Sequence, residues 1–285
     1  MMQRNGKTAL ITGSTDGVGR VVAKSLGQDG WHVLVHGRDR GRGERLVAEI
    51  EAAGGSAAFL AADLSALAEV RRLAGTVQQA TKRLDLLINN AGIGSGGSRG
   101  MRQTSADGYE LRFAVNYLAG FLLAMLLVPL LRKSTPSRIV NVSSLGQQAI
   151  DFADVMLTRG YSGSRAYCQS KLAQIMFTID LARELAGTGV TVNALHPATY
   201  MNTTMVRQSG VTPISSVEQG ADAILNLATS ADLAGRSGLF FNGQREARAD
   251  AQAYDSTARQ RLNKLSLELA GVAAEKSAPG EPSPR

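Results

Sequence analysis

The 285-residue chain has one cysteine and three histidines, and this scarcity excludes several classes of protein. Cys168 alone allows neither an intrachain disulfide nor a cysteine-based zinc site, and a single cysteine is typical of a reducing compartment. His32, His36 and His196 do not have the spacing of a metal-binding cluster. We therefore expect no metal site, and we expect the protein to be cytoplasmic.

Long hydrophobic runs are also absent. The longest, residues 118–131, is shorter than the roughly 20 residues that span a bilayer, and Pro129 interrupts it. The first apolar run, residues 9–11, comes too early and is too brief for the apolar region of a signal peptide. We expect a buried helix at 118–131, no export signal and no membrane insertion.

The composition nevertheless supports a folded protein with an anionic partner. Hydrophobic residues make up 44% of the chain, so a sizeable core is expected. Lys and Arg number 31 against 24 Asp and Glu, and the resulting net charge of +7 fits a nucleotide, a nucleic acid or an acidic surface. The sequence has no recognised nucleic-acid-binding motif and no basic stripe interleaved with aromatic residues, so we expect no specific nucleic acid partner.

Short apolar runs alternate with helix-length amphipathic segments along the chain. The runs are consecutive rather than alternating, which is typical of strands covered by helices on both faces. Seven strands are predicted, at residues 8–12, 32–36, 57–61, 84–89, 138–143, 191–196 and 238–241. This order predicts βαβ units and a single-domain, doubly wound Rossmann fold with a parallel sheet. The domain is predicted at residues 1–276, and the proline-rich end, 277–285, is predicted to be a disordered tail.

A glycine-rich loop follows the first predicted strand and leads into a helix. Its sequence, TGSTDGVG, begins at Thr12, and its glycines follow a GxxxGxG pattern. Gly13 permits a tight turn, Gly17 lets the backbone approach a phosphate, and Gly19 allows the helix to pack closely on the strand. Because a helix N-terminus favours anions, the loop is predicted to bind the pyrophosphate of a dinucleotide.

The end of the second strand indicates which dinucleotide binds. A fold that prefers NAD places an acidic residue here for the ribose 2′-hydroxyl, whereas this chain has Gly37 followed by Arg38. A guanidinium suits a 2′-phosphate, so NADP(H) is favoured over NAD(H). Arg40, Arg42 and Arg45 either reinforce this positive field or form an ordinary solvated helix face.

Two further segments carry candidate catalytic groups. Ser143 and Ser144 end the fifth strand, where doubly wound sheets bind ligands, and only one of two neighbouring side chains can face the cleft. Tyr167 and Lys171 lie four residues apart on one helical face. A phenol has an ordinary pKa of about 10, so a proton shuttle at neutral pH needs a nearby cation that favours the phenolate. Lys171 supplies that cation, and Tyr167 can then donate a proton to a carbonyl oxygen while hydride reaches the carbon.

Together these landmarks resemble the short-chain dehydrogenase/reductase family. The chain carries TGSTDGVG, Asp63-Leu64, an NNAG segment at 89–92, Asn116, IVNVSS, YCQSK and a late His-Pro turn, in an order that covers about residues 7–245. The segments AYCQSKLAQIMFTIDLAREL and GTGVTVNALHP are most similar to the branch that contains retinol dehydrogenases and related NADP-dependent carbonyl reductases.

The resemblance implies roles for individual residues. The catalytic set is then Asn116, Ser144, Tyr167 and Lys171, with Ser144 on the substrate carbonyl and Asn116 on a water-linked proton path to Lys171. Asp63 is expected at the adenine, Asn90 against the adenosine ribose, and Lys171 at the nicotinamide ribose. Otherwise Asp63 is a helix cap, Asn90 a turn residue and Asn116 a buried amide. The predicted cofactor-binding residues are Gly13, Ser14, Thr15, Asp16, Gly17, Val18, Gly19, Arg38, Asp63, Leu64, Asn90, Ala91, Gly92, Tyr167, Lys171, Pro197, Asn202 and Thr203.

The chain departs from the family pattern after His196-Pro197. Ala198 stands where the family has a glycine, which raises the question of whether a positive φ is needed there. Asn202 stands where a threonine contacts the nicotinamide amide, and it can still donate and accept hydrogen bonds. Thr203 is adjacent, so the cofactor contact is expected to persist.

Two insertions, at about 147–165 and 200–215, are predicted to line the substrate site. Tyr161 lies in the first but has Arg165 rather than a lysine four residues on, so it is not predicted as a rival catalytic base. Methionines in the second, which adapt to irregular apolar ligands, either contact substrate or pack in the core. The predicted function is interconversion of a carbonyl and an alcohol on a fairly apolar small molecule, by an enzyme that the resemblance implies is a homodimer or homotetramer. The alternative is a catalytically silent, dinucleotide-sensing regulator.

Overall fold

The computed structural model describes residues 6–96 and 101–272, so the predicted tail at 277–285 lies outside the described residues. Eight strands form one sheet in the order β3-β2-β1-β4-β5-β6-β7-β8. The strands are β1 Thr8–Ile11, β2 His32–Gly37, β3 Ser56–Ala61, β4 Leu86–Asn89, β5 Ser137–Val142, β6 Val190–His196, β7 Phe240–Asn242 and β8 Arg245–Ala247. All neighbours pair in parallel except β7 and β8, which are antiparallel.

Helices cover both faces of this sheet. They are α1 Gly17–Gln28, α2 Arg40–Ala52, α3 Leu67–Ala80, α4 Ala119–Lys133, α5 Gly163–Glu184, α6 Thr204–Gln208, α7 Val217–Thr229 and α8 Ser256–Ala270. Polar side chains begin most of them: Asp16 accepts a hydrogen bond at the start of α1, and Ser216 forms a reciprocal capping box with Gln219 at α7.

Two apolar layers hold the sheet between the helices. Neighbouring strand residues point to opposite layers: Leu10 packs with the side that contains α3, α4 and α5, whereas Ile11 packs with α1 and α7. Both are fully buried. This two-sided burial is the physical reason for the consecutive apolar runs in the sequence.

The predicted buried helix at 118–131 belongs to a longer helical segment. A π-helix, Phe113–Leu118, leads directly into α4. Together, Phe113–Lys133 is long and apolar enough to cross a membrane, but 61% of its most apolar window is buried inside the fold. Tyr117 and Phe121 pack their rings against Phe177 of α5, as in the core helix of a compact domain.

Helix α8 packs across the helices of one layer. Ala258, Leu262, Ser266 and Ala270 are buried at intervals of four residues and form its inner face. Ser266 Oγ lies 2.7 Å from the Tyr117 hydroxyl. Arg259 Nε donates to Asp180 of α5 over 2.7 Å. The chain therefore covers part of the α5 surface with its own C-terminal helix.

The predicted single-domain, doubly wound α/β fold is confirmed, and the sheet is parallel as predicted except for the antiparallel β7–β8 pair. The seven predicted strands correspond to β1–β7. The strand β8 was not predicted, because this three-residue edge strand has exposed Arg245 and Glu246 and gives no apolar signal.

Candidate active site

The glycine-rich loop lies between the ends of β1, β2 and β4. Gly13 has a φ of +63°, and a Cβ on it would lie 2.8 Å from the Ala91 Cα. No larger residue fits this turn without displacing the backbone. Asn90 fastens the loop from the side of β4, because its Nδ2 donates to the carbonyls of Thr12 and Gly13.

Two loop side chains point into the protein rather than towards a ligand. Ser14 is fully buried, and its Oγ accepts the His36 N–H over 3.0 Å. Val18 packs in the apolar layer beneath α1. These predicted cofactor residues therefore offer only their backbone, which is the part that a pyrophosphate needs at a helix N-terminus.

His36 joins the loop to β2. Its Nδ1 accepts the Gly13 N–H over 3.1 Å, which requires the neutral ring. Burial lowers the pKa of His36 to about 4, so the ring stays neutral at physiological pH. Nothing in the sequence pattern pointed to this role.

Gly37 and Arg38 follow at the end of β2. A Cβ on Gly37 would lie 2.6 Å from Thr15 Cγ2, so Thr15 occupies the place where an acidic side chain would begin. Arg38 is exposed. Arg40 is ion-paired with Glu44, and Arg42 is ion-paired with Asp16 and Asp39. Arg38, in contrast, forms no salt bridge within the described ranges. Arg38 is therefore a free cation beside the loop.

The other residues predicted to contact the adenosine differ in whether their side chains are free to bind it. Asp63 follows β3 next to β2, where its charge reaches His36, and its Oδ1 accepts the Ser65 N–H. Leu64 is only 6% exposed and packs in the core. Asn90 is committed to the loop contacts given above. Asp63 forms a turn with Ser65 rather than the helix cap predicted as its alternative, since α3 begins after Ala66 without a side-chain cap, and Asn90 braces the glycine-rich loop.

Ser144 and Tyr167 lie together at the carboxyl end of β5. The Ser144 Oγ accepts the Gly146 N–H over 3.0 Å, and a Cβ on Gly146 would lie 3.4 Å from Ser144 Oγ and 3.6 Å from the Tyr167 ring. Burial raises the pKa of the Tyr167 phenol, and the nearby Ser144 hydroxyl opposes that rise. Ser143 points the other way, since its Oγ donates to the Lys171 carbonyl. Only Ser144 faces Tyr167, in keeping with strand geometry.

Lys171 is buried beside Tyr167. Its Nζ lies 5.8 Å from the centroid of the Tyr167 ring and donates to Val142 O and to Gln174 Oε1, each over 2.9 Å. Burial lowers the pKa of Lys171 to about 7. The sequence analysis expected the lysine to lower the phenol pKa; in this structure the dry surroundings favour the neutral form of both groups.

Asn116 lies in the π-helix opposite Lys171. Its Oδ1 accepts the Ile93 N–H over 2.8 Å, and its Nδ2 donates to Ile93 O and Ser170 Oγ. A Cβ on Gly92 would lie 3.3 Å from Asn116 Oδ1 and 3.5 Å from Lys171 Nζ. Asn116 and Lys171 therefore meet across the Gly92 backbone, as the predicted catalytic set requires. π-Helical turns are frequent at functional sites.

The segment after β6 folds back over the glycine-rich loop. A Cβ on Gly17 would lie 3.3 Å from Thr203 Cγ2, and Thr204 Oγ1 donates to Asp16 Oδ2. Asn202 is instead exposed, and its Oδ1 accepts from Arg207. Thr203 thus reaches the predicted site, and Asn202 has its side chain on Arg207.

The two departures from the family pattern are accommodated differently. Pro197 is buried at the end of β6. Ala198 does not need a positive φ: in the described ranges the only non-glycine residues with one are Leu157 and Tyr200, the latter at +45°. In this segment the left-handed backbone is at Tyr200, not at Ala198.

A buried charged cluster at the rim of the site was not predicted from the sequence. Arg112 and Glu110 are ion-paired with side chains 5% and 1% exposed. Arg112 also donates to Gly94 O and Ser95 O. The Tyr161 hydroxyl accepts a hydrogen bond from Arg112 and donates one to Glu110. Arg112 thereby fixes the loop after β4 to the first insertion. Opposite charges two residues apart before a long apolar helix were the only available signal.

These features fit a dinucleotide. Neither Gly13 of the loop nor Gly37 of β2 has space for a side chain, α1 presents its N-terminus, and Arg38 is an exposed cation next to Gly37. At the carboxyl end of β5, Tyr167 and Lys171 lie close to Ser144 and Asn116.

Comparisons with known proteins agree with this geometry. The family model described as short chain dehydrogenase matches residues 7–213. Human retinol dehydrogenase 13 is 36% identical over 98% of this chain and 89% of its own length. Human retinol dehydrogenase 11 is 37% identical over 95% of this chain and 88% of its own length.

Solved structures share the fold. An uncharacterised protein from Mycobacterium paratuberculosis superposes with a TM-score of 0.77 and 30% identity over 94% of both chains. An RhlG structure from Pseudomonas aeruginosa, described as an active-site complex with NADP, has a TM-score of 0.69 and 28% identity over 83% of this chain and 94% of that one.

The chain belongs to the short-chain dehydrogenase family and is similar to its retinol dehydrogenase branch, as the motifs predicted. It is an oxidoreductase of that family with a site for a nicotinamide dinucleotide.

Proposed function

We propose that this protein is an NADP(H)-dependent reductase or dehydrogenase that interconverts an aldehyde or ketone and its alcohol on a fairly apolar small molecule. The observation that carries the proposal is the meeting of Ser144, Tyr167, Lys171 and Asn116 at the carboxyl ends of the parallel strands. Ligands of doubly wound sheets bind at this edge.

The side chains divide the reaction between them. When bound, the reduced nicotinamide supplies a hydride to the carbonyl carbon. Tyr167 donates its hydroxyl proton to the carbonyl oxygen, so the products are the alcohol and the oxidised dinucleotide. Ser144, which lies next to Tyr167, orients that oxygen. The charged form of Lys171 stabilises the phenolate that Tyr167 becomes.

Arg38 and Gly37 support the preference for NADP(H). A 2′-phosphate next to the loop meets an unpaired guanidinium rather than a carboxylate. Thr15 blocks an acidic side chain at Gly37, so a ribose 2′-hydroxyl has no carboxylate partner there. The RhlG complex with NADP is consistent with this assignment.

The rim of the cleft supports an apolar substrate. Leu145 is 47% exposed directly after Ser144, while Tyr200, Met205 and Ile214 of the second insertion are 51%, 39% and 69% exposed. Large apolar side chains exposed in one region mark a binding surface more often than scattered ones do. The relatives named retinol dehydrogenase point to the same chemical class.

The proposal extends to the protein's location and assembly. We place it in the cytoplasm because Cys168 is its only cysteine. The resemblance implies a homodimer or homotetramer formed through the helices that include α5. Since α8 covers part of α5, such an assembly would use the surface that α8 leaves open or a different one.

The proposal is tested by following NADPH oxidation at 340 nm against a panel of aliphatic and aromatic aldehydes and ketones. We expect turnover in the wild type, slower turnover with NADH, and loss of turnover without loss of NADPH binding in Tyr167→Phe. Tyr254→Phe is the matched control, because Tyr254 is an exposed phenol outside the site. Tight NADPH binding with no turnover across the panel would instead support the dinucleotide-sensing regulator.

A further inference from the structure

We propose that Gln174 is a positioning residue that holds the Lys171 ammonium in its working orientation and favours its charged form. The proposal deepens the reductase function above and rests on it for the meaning of Lys171. It concerns a side chain that none of the sequence motifs singled out.

The geometry of Lys171 leaves it few partners. Its Nζ donates to Val142 O and Gln174 Oε1, each over 2.9 Å, and an ammonium has three N–H groups. Nζ also lies beside the backbone of Gly92 at the cleft. Two hydrogen bonds therefore fix the ammonium from behind, and one N–H is left for the cleft.

Gln174 is itself held firmly. It lies three residues after Lys171 on the same helical face and is 4% exposed. The Gln174 carbonyl accepts from Thr178 Oγ1, which in turn accepts from Asn141 Nδ2 of β5. The turn of α5 that presents the amide oxygen is thereby tied to the strand that supplies Val142 O. A rigid support of this kind keeps a site group in its productive orientation.

The charged groups around Lys171 explain why a neutral acceptor matters. On α5, the phenol of Tyr167 lies beside Lys171. On β6, His196 is near enough to be affected by the lysine charge. Burial and that charge lower the pKa of His196 to about 4. The π-helix contributes the neutral Asn116, and β5 contributes only the Val142 carbonyl. In the described ranges no carboxylate forms a salt bridge with Lys171. Its charge therefore depends on hydrogen bonds with neutral oxygens.

Two variants test the proposal in opposite directions. Gln174→Met keeps the side-chain length but removes the oxygen, whereas Gln174→Glu adds a carboxylate. In the reductive direction activity falls as pH rises and Lys171 loses its proton, with a wild-type midpoint near its pKa of about 7. We expect Gln174→Met to lower the midpoint of the pH–activity profile by about one pH unit and Gln174→Glu to raise it.

Unfolding provides a readout that does not depend on turnover. Because the folded pKa of Lys171 lies below its unfolded value, protonation opposes folding as pH falls from about 10 towards 7. Gln174→Met lowers the folded pKa further, so its deficit in stability against the wild type should widen between pH 9 and pH 5.5. A unit of pKa corresponds to about a tenfold change in the unfolding equilibrium constant.

Gln169→Leu is the matched control. Gln169 is a buried glutamine of the same helix, and its Nε2 bonds Ala149 O rather than the lysine. Its loss in stability should not depend on pH. The proposal is overturned if Gln174→Met behaves like Gln169→Leu, with an unmoved midpoint and a constant deficit. If the wild type reduces no carbonyl, the proposed reductase function is wrong, but the unfolding comparison still decides the role of Gln174. If Gln174→Met does not fold, Gln174→Glu decides the role of Gln174.

Discussion

Asp16 of the glycine-rich loop accepts a hydrogen bond from Thr204 Oγ1 over 2.9 Å, across 188 residues of sequence. The same Asp16 caps α1 through the Gly17 N–H. Thr203, the neighbour of Thr204, packs beside Gly17. The loop that is proposed to bind pyrophosphate and the second insertion, proposed to bind substrate, are therefore joined by one hydrogen bond.

Thr204→Val should weaken this connection. Valine has the same shape but cannot donate, so the second insertion loses its contact with the loop. We expect the dissociation constant of NADPH to rise about threefold to tenfold, mainly through faster release, as measured by stopped-flow fluorescence. Thr212→Val in the same segment is the control, and an equal effect of both variants would contradict the role of the Asp16 contact.

Arg38→Leu should change cofactor preference. A charge-assisted bond to the 2′-phosphate is lost, so kcat/KM for NADPH should fall about tenfold to a hundredfold while kcat/KM for NADH is unchanged. Arg40→Leu removes a charge that already pairs with Glu44 and should have a much smaller effect. An equal fall for both cofactors would show that Arg38 does not recognise the 2′-phosphate.

His36 should make the protein sensitive to acid. Its pKa is about 4 in the folded protein and 6.5 ordinarily, so its stabilising contribution is complete above pH 6.5 and is lost as pH falls towards 4. His36→Asn keeps an acceptor for the Gly13 N–H but does not titrate. Between pH 6.5 and pH 4 we expect the free energy of unfolding of the variant to fall by roughly 3 kcal/mol less than that of the wild type. Urea unfolding at several pH values measures this difference. Parallel losses would contradict this account, since His196 titrates in both proteins.

Arg112→Met should destabilise the protein strongly. It leaves Glu110 buried without its cation, and such a loss costs about 3–5 kcal/mol in the free energy of unfolding. Arg165→Met breaks a more exposed pair with Asp151 and should cost about 1 kcal/mol or less. Chemical denaturation of the two variants measures the difference. Equal, small losses would mean that the rim cluster does not hold the loop after β4.

The sequence predicted the elements that depend on local patterns. Runs such as residues 86–88 are apolar because both sheet faces are covered, and the glycine-rich loop was predicted from its place between a strand and a helix. Ser144, Tyr167, Lys171 and Asn116 were placed by the family's motifs, and the fold brings them together.

The rest depended on distant contacts. Glu110, Arg112 and Tyr161 meet only after two separate segments fold together, and the covering of α5 by α8 depends on residues such as Ser266 that carry no chemical signal. Burial is equally invisible in a motif. It raises the pKa of Tyr167 and lowers that of Lys171, whereas the spacing of the pair alone suggested a lowered phenol pKa.

Isotope transfer tests the central claim most directly. The protein is incubated with NADPH carrying deuterium at the transferable C4 position and a mixture of apolar aldehydes and ketones, and the alcohols are analysed by mass spectrometry. The account predicts one deuterium on the former carbonyl carbon with the wild type and with Tyr254→Phe, and none with Tyr167→Phe. Labelled alcohol at wild-type rates from Tyr167→Phe, or no labelled alcohol from a wild type that binds NADPH, would contradict it.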